Sequence, residues 1–283
     1  MDMRNITVHL FIILFLAYLL QSECISAMQN RSIERKRIIT NPRQSDGFGS
    51  QFQTIIAAVI YAELNNCQYV YTPFNTMEHN YTNDPDFIAK KEQLINFIDN
   101  FELIDHADSN ESISANIAYK AFFDANVTQC AMSDSLRRIK SIFRANKKYV
   151  NYFNNTRLNI AVHVRRPNSH DNRILGTNTP SNDFLTIINQ LRIIYATQYP
   201  LFHLYSQGKL EDFKIFEASD VMLHLNELME DTFLGMVFAD ILVTSTSSFS
   251  YTAALLSDGV IYYTPFWHAP LPHWISVNTL LKG

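Results

Sequence analysis

Glycine is scarce in this sequence, 7 in 283 residues, and its placement removes two nucleotide-binding signatures. Gly47 and Gly49 follow a candidate first strand, but Phe52 stands where a dinucleotide fingerprint needs its third glycine. No Gly-Lys-Ser/Thr occurs, so there is no P-loop. Cysteine is scarcer still, and Cys24, Cys67 and Cys130 lack metal-site spacing. Cleavage of the N-terminus would leave a pair able to bridge, although Cys67 equally suits a small buried hydrophobe. A net charge of -4 offers no global attraction for nucleic acid. The longest apolar run, Ile6 to Leu20, falls short of the ~20 residues of an ordinary spanning helix.

What remains is globular: 47% hydrophobic and 18% charged, at a length that suits one large or two small domains. Ile6 to Leu20 has the length of a signal h-region, with Cys24 and Ser26 as small residues ahead of Ala27. Residues 1–27 are therefore expected to be a signal peptide or a short signal-anchor, which leaves membrane attachment through the N-terminus open. Sequons at Asn80, Asn110, Asn126 and Asn154 fit a lumenal protein. Arg137, Arg138, Lys140, Arg144, Lys147 and Lys148 suggest a helix with a wet basic face.

The pattern after that segment alternates strands and helices, which predicts a parallel sheet covered on both faces. A strand near 37–40, the glycine turn, a helix through Leu64 and a strand Gln68–Thr72 open a Rossmann-like unit over 28–153. A second unit over 154–283 runs through strands Leu158–Val164, Leu201–Tyr205, Val221–Leu225, Ile241–Val243 and Val260–Tyr263. Helices are expected between them, the last over Ser247–Leu256.

Two stretches carry chemistry. Ile160, Val162 and Val164 make a buried β-branched strand that ends in His163-Val164-Arg165-Arg166. Ligands of open parallel sheets bind beyond the carboxyl ends of strands, and arginine matches phosphate with paired hydrogen bonds. Solvated basic residues at a strand edge are the plainer alternative. Ser245-Thr246-Ser247-Ser248-Phe249-Ser250 lies between a strand and a helix, and helix N-termini bind anions. Capping needs one of these hydroxyls, and the run offers more than one. Together the two stretches outline a diphosphate clamp. The tail Pro265–Trp274 is aromatic and proline-rich, and reads as a cover for the sheet or a wall of the cleft.

Gly47-Phe48-Gly49-Ser50-Gln51, His163-Val164-Arg165-Arg166 and Ser247-Ser248-Phe249-Ser250 occur in the order found in fucosyltransferases of the α1,2, α1,6 and protein-O types. The chain resembles that superfamily over about residues 40 to 265. The resemblance implies an α/β, GT-B-like fold with two Rossmann-like domains facing a central cleft. It implies an inverting transfer from GDP-fucose to a glycan or glycoprotein hydroxyl, with no required metal; the N-terminal segment and the sequons set the expected location as the secretory pathway, in the Golgi lumen or membrane or after secretion. By resemblance, Arg165 holds the β-phosphate as the catalytic group and Arg166 supports it. His163, Ser247, Ser248, Phe249 and Ser250 lie on the donor, and Gly47, Phe48 and Gly49 line the cleft. The family pattern places Asp where this chain has Asn168, also assigned to the donor side. Asn168 keeps open another nucleotide sugar, and a non-catalytic sugar-binding protein of the same fold is a further alternative. A nicotinamide oxidoreductase is disfavoured by the missing third glycine. Glu78, His79, Asp171 and Glu227 are candidate general bases.

Overall fold

The structure, a computed structural model, describes residues 37–104, 111–114, 116, 117, 120, 127–145, 147, 150, 152, 153, 156–166 and 181–282. Expectations about the segment 1–27, the sequons at Asn110, Asn126 and Asn154, and the residues Lys148, Asn168 and Asp171 lie outside them. All of the described residues except Arg37 belong to one compact unit, Ile38–Gly283.

The architecture is mixed α/β with two parallel sheets. The smaller sheet holds β1 (Ile38–Thr40), β2 (Gln68–Val70) and β3 (Glu111–Ser112) in the order β2-β1-β3. A parallel bridge from Tyr71 to Leu103 extends the pairing beyond β2. Between β1 and β2 runs α1 (Phe48–Leu64), and α2 (Phe87–Ile95), α3 (Val127–Ala131) and α4 (Asp134–Arg144) follow.

The larger sheet contains β4 (Asn159–His163), β5 (Leu201–Ser206), β6 (Val221–Leu225), β7 (Ile241–Val243), β8 (Val260–Tyr263) and β9 (Ile275–Ser276). Its order is β6-β5-β4-β7-β8-β9, and every pairing is parallel. Counted from β4, that is the 3-2-1-4-5-6 order of doubly wound sheets. The order reverses between β4 and β7, and the carboxyl ends of those strands therefore frame the crevice where such sheets take ligands. The connecting helices are α5 (Ser181–Ile194), α6 (Met229–Phe238) and α7 (Ser248–Leu256), with α8 (Asn278–Leu281) at the end. Between β5 and β6, where a helix is expected, Leu210–Phe216 is a 3₁₀ helix.

β4 is buried along its whole length, which is why it reads as a continuous apolar run. Alternate residues serve opposite faces. Ile160, Val162 and Val164 pack with Phe184, Ile187, Ile188 and Leu191 of α5. Ala161 faces the other way, into a cluster shared with α1, α6 and α7.

The basic helix departs from expectation. Ser133 caps α4 by accepting from the Leu136 N–H at 3.1 Å. Its cations are not merely wet. Lys140 Nζ donates to the Ser257 carbonyl at 2.7 Å, and Arg144 reaches Asp258 at 3.2 Å and the Leu256 carbonyl at 3.3 Å. These groups sit at the carboxyl end of α7, where a helix carries its partial negative charge. The basic side of α4 therefore fixes the helix whose other end forms the site.

Candidate functional site

The site is built on four segment ends: the carboxyl ends of β4 and β7, and the N-termini of α7 and α1. β7 stops at Val243, and the chain turns through Thr244 to Ser247 before α7 begins. The turn is tight, with Ser247 N–H donating to the Ser245 carbonyl at 2.8 Å. Ser247 is the N-cap, and its hydroxyl accepts from Phe249 N–H at 3.2 Å. Ser250 is fully buried, and its hydroxyl accepts from Ser245 N–H at 3.1 Å. The Ser245 hydroxyl lies 2.8 Å from His163 Nδ1. The hydroxyl run thus divides its work. Ser245 and Ser250 shape the turn from within, buried Ser247 caps α7, and Ser248 is half-buried.

Across from this turn, Arg165 donates from Nη1 to Ser247 Oγ at 3.2 Å. The arginine stretch and the hydroxyl stretch, 82 residues apart in sequence, therefore meet. Arg166 does not join them. Successive residues of an extended segment point to opposite sides. Arg166 Nη2 donates to Ser181 Oγ at the start of α5, and its guanidinium lies 5.5 Å from the centre of the Phe213 ring. The two cations therefore splay to opposite flanks of β4 instead of forming one paired clamp.

His163 is buried between these groups. Burial first, then the Arg165 charge, pulls its pKa down to about 3. The ring is therefore neutral at physiological pH and acts as a hydrogen-bonding support for Ser245. Its face-to-edge neighbour is Phe249, with ring centres 5.8 Å apart.

The glycine stretch is not a loop. Gly47 is the N-cap of α1, and Phe48 and Gly49 form its first turn, so the helix begins earlier than its apolar spacing suggests. A Cβ on Gly49 would lie 2.5 Å from the Phe249 N and Cα atoms. Thr252 Oγ1 closes the seam by donating to the Gly49 carbonyl at 2.9 Å. Gly49 thus lets the first turn of α1 approach the backbone of α7 closely. Phe48 is a core residue, edge-on to Phe233 at 5.1 Å. Gly47 has the His79 ring against it, 2.7 Å from where a Cβ would sit. The N-termini of α1 and α7 therefore lie side by side, with the Arg165 guanidinium bonded to the cap of α7. Each helix end carries about half a positive charge. Asp46 answers part of this at the α1 end, where it accepts from Ser50 Oγ at 3.1 Å.

Of the candidate bases, Glu78 and His79 stand at the rim beside α1. His79 holds a positive φ of 75°, a conformation that costs a non-glycine residue energy and that clusters at functional sites. Its Nδ1 is hydrogen-bonded to the Tyr81 hydroxyl, and Glu78 Oε2 lies 3.9 Å from its Nε2. Glu227 is engaged elsewhere, 2.7 Å from His224 Nδ1. His224 continues a buried chain to His203 at 3.1 Å and from there to Asn159 at 3.2 Å. Nothing in the sequence pattern announced this chain, because its members come from three strands. Cys67 and Cys130 are not joined by a disulfide.

The neutral histidines make an acid-stability prediction. His203, like His163, is pulled down to about 3, by burial first and then by His224. Unfolded, each ring titrates near ~6.5. As pH falls below that value the unfolded chain binds protons that the folded chain refuses, so stability falls. Each histidine should lower stability progressively as pH falls from ~6.5 towards its folded pKa. Thermal unfolding at about pH 7 and pH 5 checks this. The drop should shrink in a His163→Asn/His203→Asn variant, and an identical drop would assign acid sensitivity to the carboxylates instead.

No family model and no curated protein matches the chain. Among solved structures, it is similar to the fucosyltransferase NodZ from Bradyrhizobium at 11% identity and a TM-score of 0.36, covering 78% of this chain and 94% of that one. It is similar to POFUT1 in complex with GDP at 10% identity and a TM-score of 0.42, covering 82% and 98%. It is also similar to the E. coli heptosyltransferase WaaC with ADP at 11% identity and a TM-score of 0.38, covering 87% and 96%. These are distant likenesses.

Proposed function

We propose that this chain is a GT-B-type glycosyltransferase that moves fucose from GDP-fucose to a hydroxyl of a glycan or glycoprotein, with inversion at the anomeric carbon. The observation that carries the reading is the Arg165–Ser247 contact at the reversal point of the larger sheet. It joins a fixed cation to a helix N-terminus where ligands of such sheets bind. The two sheets are then the two Rossmann-like halves, and the donor lies on the larger one.

As the glycosidic bond breaks, negative charge grows on the diphosphate. Arg165 and the first-turn N–H groups of α7 stabilise that charge more in the transition state than in the ground state. These groups supply positive charge without calling on a metal. His163 holds Ser245 and through it the turn, while Ser247, Ser248 and Phe249 lie on the phosphate side. The acceptor hydroxyl enters from the α1 side, where Glu78 and His79 stand at the rim as proton acceptors. Export to the secretory pathway belongs to the same reading.

The choice of fucose rests on the resemblance of the three stretches. Asn168 in place of Asp favours a second reading, another nucleotide sugar on the same fold. Thermal-shift titration with GDP, UDP and GDP-fucose separates them, followed by product mass from a mixed glycan and peptide acceptor set. Stabilisation by GDP and GDP-fucose with UDP inert supports the fucose reading. UDP alone stabilising the chain would favour the second.

A further inference from the structure

The tail after β8 was expected either to cover the sheet or to wall the cleft, and it does the first only in part. Trp274 is 7% exposed and packs edge-on to Tyr251 at 5.1 Å between ring centres. Trp267 is 69% exposed. It is nevertheless held in place. Its ring stacks on Phe266 with centres 4.9 Å apart and planes 17° apart, and Phe266 rests on the main hydrophobic cluster. The loop beneath is fastened by two buried tyrosine hydroxyls. Phe266 N–H donates to the Tyr263 hydroxyl at 2.7 Å, that hydroxyl donates to the His268 carbonyl, and Tyr251 donates to the Ala269 carbonyl at 2.7 Å.

The platform also stands at the right edge. The loop leaves the carboxyl end of β8, the neighbour of β7. Thr264 N–H donates to Thr244 Oγ1 at 2.9 Å, and Thr244 leads directly into the Ser245–Ser250 turn. The same sheet edge therefore carries the anion site and, one strand away, an exposed aromatic face.

We propose that the Phe266–Trp267 pair is a stacking subsite for a pyranose ring of the acceptor. This rests on the transferase reading for the word acceptor, but not for the sugar. The face of an aromatic ring is electronegative. The C–H groups on one face of a pyranose are apolar and carry slight positive charge, because each carbon bears an oxygen. A ring with one face covered by Phe266 and the other open lets a sugar stack while its hydroxyls stay in water.

The chain has two tryptophans, so intrinsic fluorescence reads the site directly. In the full-length protein, iodide quenches the exposed Trp267 and spares the buried Trp274. Cellotetraose, chitotetraose, N-acetyllactosamine and mannotriose are the probes. At least one should protect Trp267 from iodide and shift its emission to the blue. By titration calorimetry, Trp267→Ala should weaken binding of that oligosaccharide roughly tenfold, while Trp267→Phe recovers part of the affinity. GDP affinity should be equal in all variants. The proposal is overturned if none of the oligosaccharides protects Trp267, or if GDP alone does, which would make the pair a nucleobase shelf. Sugar protection in a chain that binds no GDP would leave the platform standing and refute the transferase.

Discussion

Arg165→Ala should lower kcat for transfer by a factor of roughly 100 or more, the usual cost of removing a preorganised charge partner from a developing oxyanion. Arg166→Ala should cost less, and mainly through fold stability. The difference follows from where the two side chains go. Arg165 is bonded to the cap of α7 at 3.2 Å, while Arg166 is fixed to Ser181 and Phe213 on the other flank of β4. Arg165→Lys is a sharper control, since it keeps the charge and loses the planar fork. It should recover only part of the rate. Steady-state kinetics with GDP-fucose decides the matter, and a kcat for Arg165→Ala near that of the parent would remove the assigned role.

Gly49→Ala should be the second large effect, on stability and site together. A methyl group there would sit 2.5 Å from Phe249 backbone atoms, and a helix N-terminus cannot yield as a flexible side chain does. Overpacking of this kind typically costs about 1–3 kcal/mol. The seam that must open is the one closed by Thr252 and Gly49, so α7 would shift its first turn away from Arg165. The expected result is a lower unfolding midpoint together with weaker GDP binding. Thr252→Val supplies the comparison. It loses the hydrogen bond to the Gly49 carbonyl but inserts nothing, and should cost about 0.5–1.5 kcal/mol. Equal midpoints for Gly49→Ala and the parent would mean that the two helix ends are not in contact.

The larger sheet was legible because it is written in short β-branched runs separated by helical spacing. Val221–Leu225, Ile241–Val243 and Val260–Tyr263 fall on the residues their composition names. The two-residue strand Ile275–Ser276 was not legible, since it lies in an aromatic tail with no alternation and exists because it pairs with Tyr262 and Tyr263. The start of α1 was missed for a related reason. Gly47 and Gly49 read as a loop from propensity alone, and tertiary contact with α7 overrides propensity there. In the site, the meeting of Arg165 with Ser247 followed from strand ends and helix starts. The divergence of Arg166 did not, because it depends on which face each side chain takes beyond the strand. The interior duties of Ser245 and Ser250 were likewise invisible, since a serine turned inward and one turned outward look alike in sequence.

The most direct test is a crystal structure of the full chain soaked with GDP. The diphosphate should lie beyond the carboxyl ends of β4 and β7, hydrogen-bonded to the Arg165 guanidinium and to first-turn N–H groups of α7. GDP bound elsewhere, or a crevice that stays without it at saturating concentration, would contradict the account.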